Sequence, residues 1–348
     1  MPHGLVAATE AGPAGPLILR LCDAFGKRYT GVMPDTRYRW RLLRAGTLRL
    51  DGGSMFGLIP RVVWSKAVVP DDRHRIEVAH NCLLLEAPGG GRVLVEAGSG
   101  DKLDAKMRAI FALGDRTVVD AVGEVAPVGD VRHVVVSHLH FDHAGGLTRR
   151  SRAGEAPHWI DPATGLGVMR SFGDAEIIVQ AREWSDAVAG NSLMTRTYLR
   201  DNLEPLHGHV RTVESPPPFP AGRVPGRDEA PATDVVARMT EVLPGIFVFL
   251  VPGHTWGQQA VLFTDDRGRT VVFTPDVLPT RHHVGAAYSL AYDVEPYTTM
   301  VTKRWLLEAA ARHDWLLVLD HEPGNPCARV RPDGGGWFVL EPGECPGA

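Results

Sequence analysis

The chain has 348 residues, 44% of them hydrophobic, enough for one large domain or two modest ones with a sizeable core. Its 37 basic and 41 acidic residues leave a formal net charge of −4, which offers no electrostatic case for a nucleic-acid partner. No apolar run reaches bilayer-spanning length, so no membrane partner is expected. The four cysteines, Cys22, Cys82, Cys327 and Cys345, match no zinc or redox spacing, and unpaired thiols in a reduced, cytoplasmic protein are the expectation.

Residues 1–35 are rich in glycine, alanine and proline and read as a partly ordered extension. It is a poor signal peptide. It either covers a neighbouring subunit or precedes a native start at Met33. A single domain then runs over 36–348. Arg39–Leu50 alternates as a first strand. The stretch Asp51–Trp64 packs Met55, Phe56 and Trp64 around glycines, which suits either core packing or an acyl-chain pocket. Strands at Ile76–Glu86 and Arg92–Glu96 are joined across Pro88-Gly89-Gly90-Gly91. Helical spacing covers Leu103–Leu113 and Val118–Val125.

The short β-branched run Val131–Val136 then delivers Ser137-His138-Leu139-His140-Phe141-Asp142-His143-Ala144-Gly145-Gly146. Histidines two apart on an extended segment point the same way and can grip one ion. Asp142 and His143 follow where the chain must turn and can address a second. Beyond this motif, 149–175 reads as an insertion loop at the mouth of the site. Glu176–Val179 is a strand, and Ala181–Ala189 and Ser192–Leu203 are helices, with Ser192 as cap. A Pro-rich excursion covers about 214–235. Strands alternate from Met239 to Phe273. Pro296–His313 is an amphipathic helix, and Trp315–Leu319 and Trp337–Leu340 are the last strands.

Three later apolar runs also end on candidate ligands, at Pro252-Gly253-His254-Thr255, Thr274-Pro275-Asp276 and Asp320-His321-Glu322. Imidazole and carboxylate donors suit zinc, iron, cobalt and manganese.

In this order, the His-x-His-x-Asp-His loop, Pro-Gly-His-Thr, lone Asp and late His resemble the metallo-β-lactamase superfamily. The resemblance runs from about Leu48 to Leu340. It implies an α/β fold of the α+β kind, a four-layer αββα sandwich with a dinuclear metal site at one edge of the sheets. His138, His140 and His254 would hold one divalent ion and Asp142, His143 and His321 the other, with Asp276 bridging; zinc is the first choice of metal, with iron, cobalt or manganese as alternatives. Asp51-Gly52-Gly53-Ser54-Met55-Phe56-Gly57 and Ala291-Tyr292-Asp293 look closest to the quorum-quenching N-acyl-homoserine lactonase branch.

That branch implies a hydrolase that opens lactone esters with a metal-bridging hydroxide. Asp142 and Asp276 would be catalytic, Asp142 passing a proton to the leaving oxygen. Some members carry a tyrosine facing the substrate carbonyl soon after the bridging Asp. Tyr288 and Tyr292 are the nearest here, and His282 comes sooner, so these join Met55, Phe56 and Trp64 as substrate-binding candidates. Glu96 stands where the family usually has Asp, and Glu96 and Asp101 are expected to support the ligands. Alternatives on the same site are an aryl esterase or phosphotriesterase, or a glyoxalase-II-like thioesterase; a non-catalytic scaffold is the reading from another class. The expected partners are a small-molecule ester or lactone and a second copy in a homodimer.

Overall fold

A computed structural model describes residues 18–22, 28–32, 36–190, 196–219 and 233–346. Met33, Ser192 and 220–232 of the Pro-rich excursion lie outside the described residues, as do most of the N-terminal positions. Ile18–Cys22 and Arg28–Val32 pair antiparallel.

The strand Arg75–Glu86 shows how the layers arise. Nearly every residue in it is buried, on both faces. Leu83 and Leu85 point into one apolar cluster, whereas Cys82 and Leu84 point into another. Side chains of a strand alternate between faces, so a strand apolar on both sides must be covered on both sides. One cover is a second sheet and the other is a layer of helices.

The first sheet has six strands, ordered Val210–Val213, Glu176–Gln180, Val131–Val135, Arg92–Val95, Arg75–Glu86, Arg39–Asp51. The second has seven, ordered Thr240–Leu243, Ile246–Leu250, Gln259–Thr264, Thr270–Thr274, Leu316–Leu319, Cys327–Pro332, Phe338–Pro342. Between them lie Trp40, Val95 and Ile178 from one sheet and Val248, Phe263 and Phe273 from the other. Each large apolar side chain buried there contributes about 1.5–3 kcal/mol. Helices Val118–Gly123 and Ala181–Val188 cover the outer face of the first sheet, and Pro296–Arg312 covers that of the second. The result is an αββα sandwich.

Several sequence expectations change here. The 149–175 insertion is not an unstructured loop. It holds a three-stranded sheet, in which Gly167–Arg170 pairs with both Thr148–Arg150 and Trp159–Ile160. The helix expected over Ser192–Leu203 shrinks to Arg200–Leu203 among the described residues. Asp51–Trp64 folds into two short helices, Gly52–Phe56 and Arg61–Trp64, the first capped by Asp51. The strand Cys327–Pro332 is additional.

The cysteine expectation also fails in part. Cys327 and Cys345 form a disulfide, with Cα atoms 5.6 Å apart. Antiparallel pairing of Ala328 with Pro342 brings the two segments together, which spacing in sequence could not show. Such bonds are uncommon in a reducing cytosol, so the pairing does not support the cytoplasmic expectation. Cys82 is free and buried. No helix among the described residues is long and apolar enough to cross a membrane.

Candidate metal centre

Four strands deliver the ligands to one edge of the sandwich. Val131–Val135 leads to His138 and His140, Ile246–Leu250 to His254, Thr270–Thr274 to Asp276 and Leu316–Leu319 to His321. Gln259 locks the two sheets together at this edge. Its backbone N–H donates to the Ser137 carbonyl at 2.9 Å, and its side-chain amide donates to the Val136 carbonyl at 2.8 Å. Phe141–Ala144 winds into one helical turn that carries Asp142 and His143. Gly146 lets this turn sit hard against the preceding loop, since a Cβ there would lie 2.0 Å from the Ala97 carbonyl oxygen. Gly253, at φ 134°, does the same for His254 beside Thr299.

All seven predicted ligands are buried, Asp142 the most open at 8% exposure. Asp276 sits at the centre. Its Oδ2 lies 3.0 Å from His254 Nε2, 3.8 Å from His138 Nε2 and 3.6 Å from His143 Nε2, and its Oδ1 lies 3.4 Å from His321 Nε2. Two groups of donors result, each with its ligand atoms within 4.8 Å of one another: His138, His140, His254 and Asp276, and His143, Asp276, Asp320 and His321. Asp276 belongs to both. Asp142 stands beside the second group, 3.7 Å from His321 Nε2 and 3.9 Å from His143 Nε2.

These residues fit divalent cations. His254 Nε2 faces His140 Nδ1 at 3.0 Å, and His321 Nε2 faces His143 Nε2 at 3.2 Å. His138 Nε2 and Asp276 Oδ1 are buried with no hydrogen-bond partner. Leaving such groups unsatisfied costs roughly 1–3 kcal/mol each, and a shared cation removes the conflict. At four of the five histidines the outer ring nitrogen has a polar neighbour, which aims the inner one at the centre; the outer His140 Nε2 has no hydrogen-bond partner. His254 Nδ1–H donates to Asp293 Oδ1 at 2.8 Å, and His321 Nδ1–H donates to the Ala79 carbonyl at 2.8 Å. His138 Nδ1 pairs with Ser137 Oγ at 3.0 Å, and His143 Nδ1 faces Glu96 Oε2 at 3.3 Å.

The electrostatics follow from this crowding. Burial, reinforced by neighbouring histidines, pushes His138 and His140 well below the usual imidazole range. Burial also lowers His254, but the Asp276 and Asp293 carboxylates outweigh it and raise the ring to about 10. Burial raises Asp276, yet His254 and His321 hold its carboxyl well below the usual carboxylate range.

Of the supporting acids expected from sequence, Glu96 is in place. Its Oε1 accepts the Ser137 N–H at 2.6 Å. Its backbone φ of 69° costs a non-glycine residue on the order of 1–2 kcal/mol, so the fold holds it there against a local preference. Asp101 is elsewhere: its carboxylate accepts the Arg150 N–H at 3.1 Å and touches no ligand. Sequence reading also missed residues. Asp293 was named without a role. Glu183, fully buried, accepts from Leu139 N–H at 2.9 Å, Tyr198 Oη–H at 3.0 Å and Thr255 Oγ1–H at 2.6 Å, so it ties two ligand loops together. Nothing distinguishes it in sequence from any acid on a helix.

A cavity of about 540 Å³ opens onto the centre. Its floor is His140, Asp142, His254, Asp276 and His321, and Leu50, Met55, Met107, Phe111, Phe141 and Leu290 form much of its wall. Of the substrate-binding candidates, Met55 and Tyr292 line it. Phe56, Trp64, His282 and Tyr288 do not. Phe56 and Trp64 are core residues, stacked on each other at 5.3 Å, with Phe56 also stacked on His283 at 4.9 Å. Tyr288 packs edge-on against Phe56. Arg196, Thr197 and Leu199 reach the cavity, whereas no residue of 149–175 does.

Residues 75–321, well over half the chain, match the family model described as the metallo-beta-lactamase superfamily. Among solved structures, a probable metal-dependent hydrolase from Staphylococcus aureus is 22% identical, with a TM-score of 0.69 over 90% of this chain and 99% of that one. A quorum-quenching N-acyl homoserine lactone lactonase is 20% identical, with a TM-score of 0.58 over 84% of this chain and 95% of that one. AidC, a dizinc quorum-quenching lactonase, is 15% identical, with a TM-score of 0.61 over 89% of this chain and 98% of that one. At these identities the likeness speaks for the fold. With the family match and the two donor groups at the sheet edge, it follows that the chain belongs to the metallo-beta-lactamase superfamily, as a metal-dependent hydrolase.

Proposed function

We propose that the protein is a lactonase that opens N-acyl-homoserine lactones at a centre of two divalent ions, zinc being the first choice. The observation that carries this is the cavity of about 540 Å³: a largely apolar wall ending on a floor of buried histidines and carboxylates. A neutral lactone with an apolar tail suits that division. Solved lactonases of the same fold, one of them described as dizinc, support the choice.

When bound, two such ions supply hydroxide at neutral pH and a Lewis acid for the carbonyl oxygen. The chain's own residues do the rest. Leu50, Met55 and Met107 hold the acyl chain and exclude water. Burial pushes the Tyr292 hydroxyl up to about 12, so it stays an O–H donor for the substrate carbonyl. Asp142, the ligand most open to the cavity, takes the proton of the attacking water. As the ring C–O bond breaks it passes that proton to the leaving alkoxide, and an N-acyl-homoserine results.

The test is hydrolysis of a panel by metal-analysed protein: short- and long-chain acyl-homoserine lactones, a γ-lactone, an aryl ester, a phosphotriester and a glutathione thioester. Preference for acyl lactones with two ions per chain is expected. Two ions with no lactone turnover would end the lactonase reading and move the function to the esterase, phosphotriesterase or thioesterase classes.

A further inference from the structure

We infer that Asp320 is a positioning residue for the second metal site, supporting His143 from behind, beside Glu96, and holding negative charge for the second ion. The inference rests on the two-ion reading above. Asp320 is 2% exposed, and neither of its carboxylate oxygens has a hydrogen-bond partner. Among the described acids it alone has two fully buried, unpartnered carboxylate oxygens. Its Oδ2 lies 4.0 Å from His143 Nδ1, the atom that Glu96 Oε2 approaches to 3.3 Å. Glu96 Oε2 is unpartnered too, because Oε1 takes the Ser137 N–H. One imidazole nitrogen thus faces two carboxylate oxygens, Glu96 Oε2 and Asp320 Oδ2, neither of which has another hydrogen-bond partner.

Elsewhere the protein satisfies its buried acids. Asp265, fully buried and outside the cavity, takes the Arg269 guanidinium at 2.8 Å and the backbone N–H groups of Arg267 and Arg269. Glu183 takes three donors. No lysine or arginine pairs with Glu96 or Asp320 among the described residues, and Cys82 is buried alongside them. Nor can Asp320 swing out to water. Its N–H donates to the Thr274 carbonyl at 3.3 Å, and its carbonyl accepts the Asn81 N–H at 2.9 Å. A buried charge without a partner is strongly unfavourable. Beyond the His143 imidazole itself, the compensating charge that fits is a cation among His143, Asp276, Asp320 and His321, whose ligand atoms lie within 4.8 Å of one another. An acid that merely held the fold together would have protein donors.

The two roles separate experimentally. Asp320→Asn keeps the shape and removes the charge. Metal-free protein is titrated with Co²⁺, counting ions per chain and following the visible spectrum, and melting is recorded before and after loading. Wild type is expected to take two ions. In D320N the first binds as in wild type and the second about 10–100-fold more weakly. The Tm of metal-free D320N is unchanged or higher, and its gain on loading shrinks. Asp320→Glu, which keeps the charge, recovers part of the second-ion affinity, and Glu96→Gln also weakens the second ion selectively. Equal affinities in D320N and wild type would overturn the inference. So would a metal-free D320N that melts lower or fails to fold, because the acid would then serve the fold rather than the ion. A wild-type chain that takes fewer than two ions would overturn the two-ion reading itself, visibly without any substitution.

Discussion

The two halves of the metal centre are supported in opposite ways. On the first half, His254 donates to Asp293, whose other oxygen accepts the Leu290 N–H at 3.0 Å. Behind Asp293 stands Lys303, fully buried, whose ammonium donates to the carbonyls of His283 at 2.8 Å, Gly285 at 2.7 Å and Tyr288. Burial lowers Lys303 to about 7, with Asp293 pulling it back up. Every polar group in that chain has a protein partner. On the second half, His143 is backed by Glu96 and Asp320, and no lysine or arginine pairs with them among the described residues. The His254 side of the first half is therefore organised by the fold, whereas the acids behind His143 depend more on what the second half binds. A dinuclear site with one half preformed should load in sequence, the preformed half first.

Asp276→Ala breaks the comparison outright, because both halves share that carboxylate. Turnover should fall by more than the roughly 10–100-fold typical of a residue that only supports a ligand, with metal per chain reduced and the fold retained. Metal analysis, circular dichroism and lactone hydrolysis check this, and full activity would remove Asp276 from the shared position. Asp293→Ala should act on one half alone, weakening the first ion by about 10–100-fold and sparing the second. Ordered Co²⁺ titration reads that asymmetry, and equal weakening of both ions would erase it. Lys303→Met leaves three carbonyls without a donor and should cost about 1–3 kcal/mol of stability, measured by urea unfolding, with metal affinity changed far less. Cys345→Ser opens a loop between positions 18 apart and should cost about 3 kcal/mol by the chain-entropy argument, yet both ions should bind as before. Smallest is Met107→Ala in the cavity wall. A few-fold rise in KM for long-chain lactones, with kcat unchanged, would mark it as a holder of the acyl chain.

The candidate metal ligands were legible because their signals are local. A β-branched run followed by His-x-His-x-Asp-His, and three more apolar runs ending on His or Asp, can be read without knowing where the strands lie. The wall was only half legible. Met55 and Tyr292 reach the cavity, but Phe56 and Trp64 belong to the same glycine-rich, apolar stretch as Met55 and are core. Composition cannot tell a residue facing a cavity from its neighbour facing the interior.

By itself, the sequence pointed to the superfamily, the sandwich and seven candidate ligands, six of which fall in the two donor groups, because strand period and ligand spacing act over a few residues. Only the tertiary structure decided what backs those ligands. Glu183 serves loops at Leu139 and Thr255, Lys303 caps the turn at 283–288, and Cys327 meets Cys345 across two strands. Asp320 reaches His143 from 177 positions along the chain. Each of these depends on strands far apart in sequence lying side by side, so no local pattern could announce it.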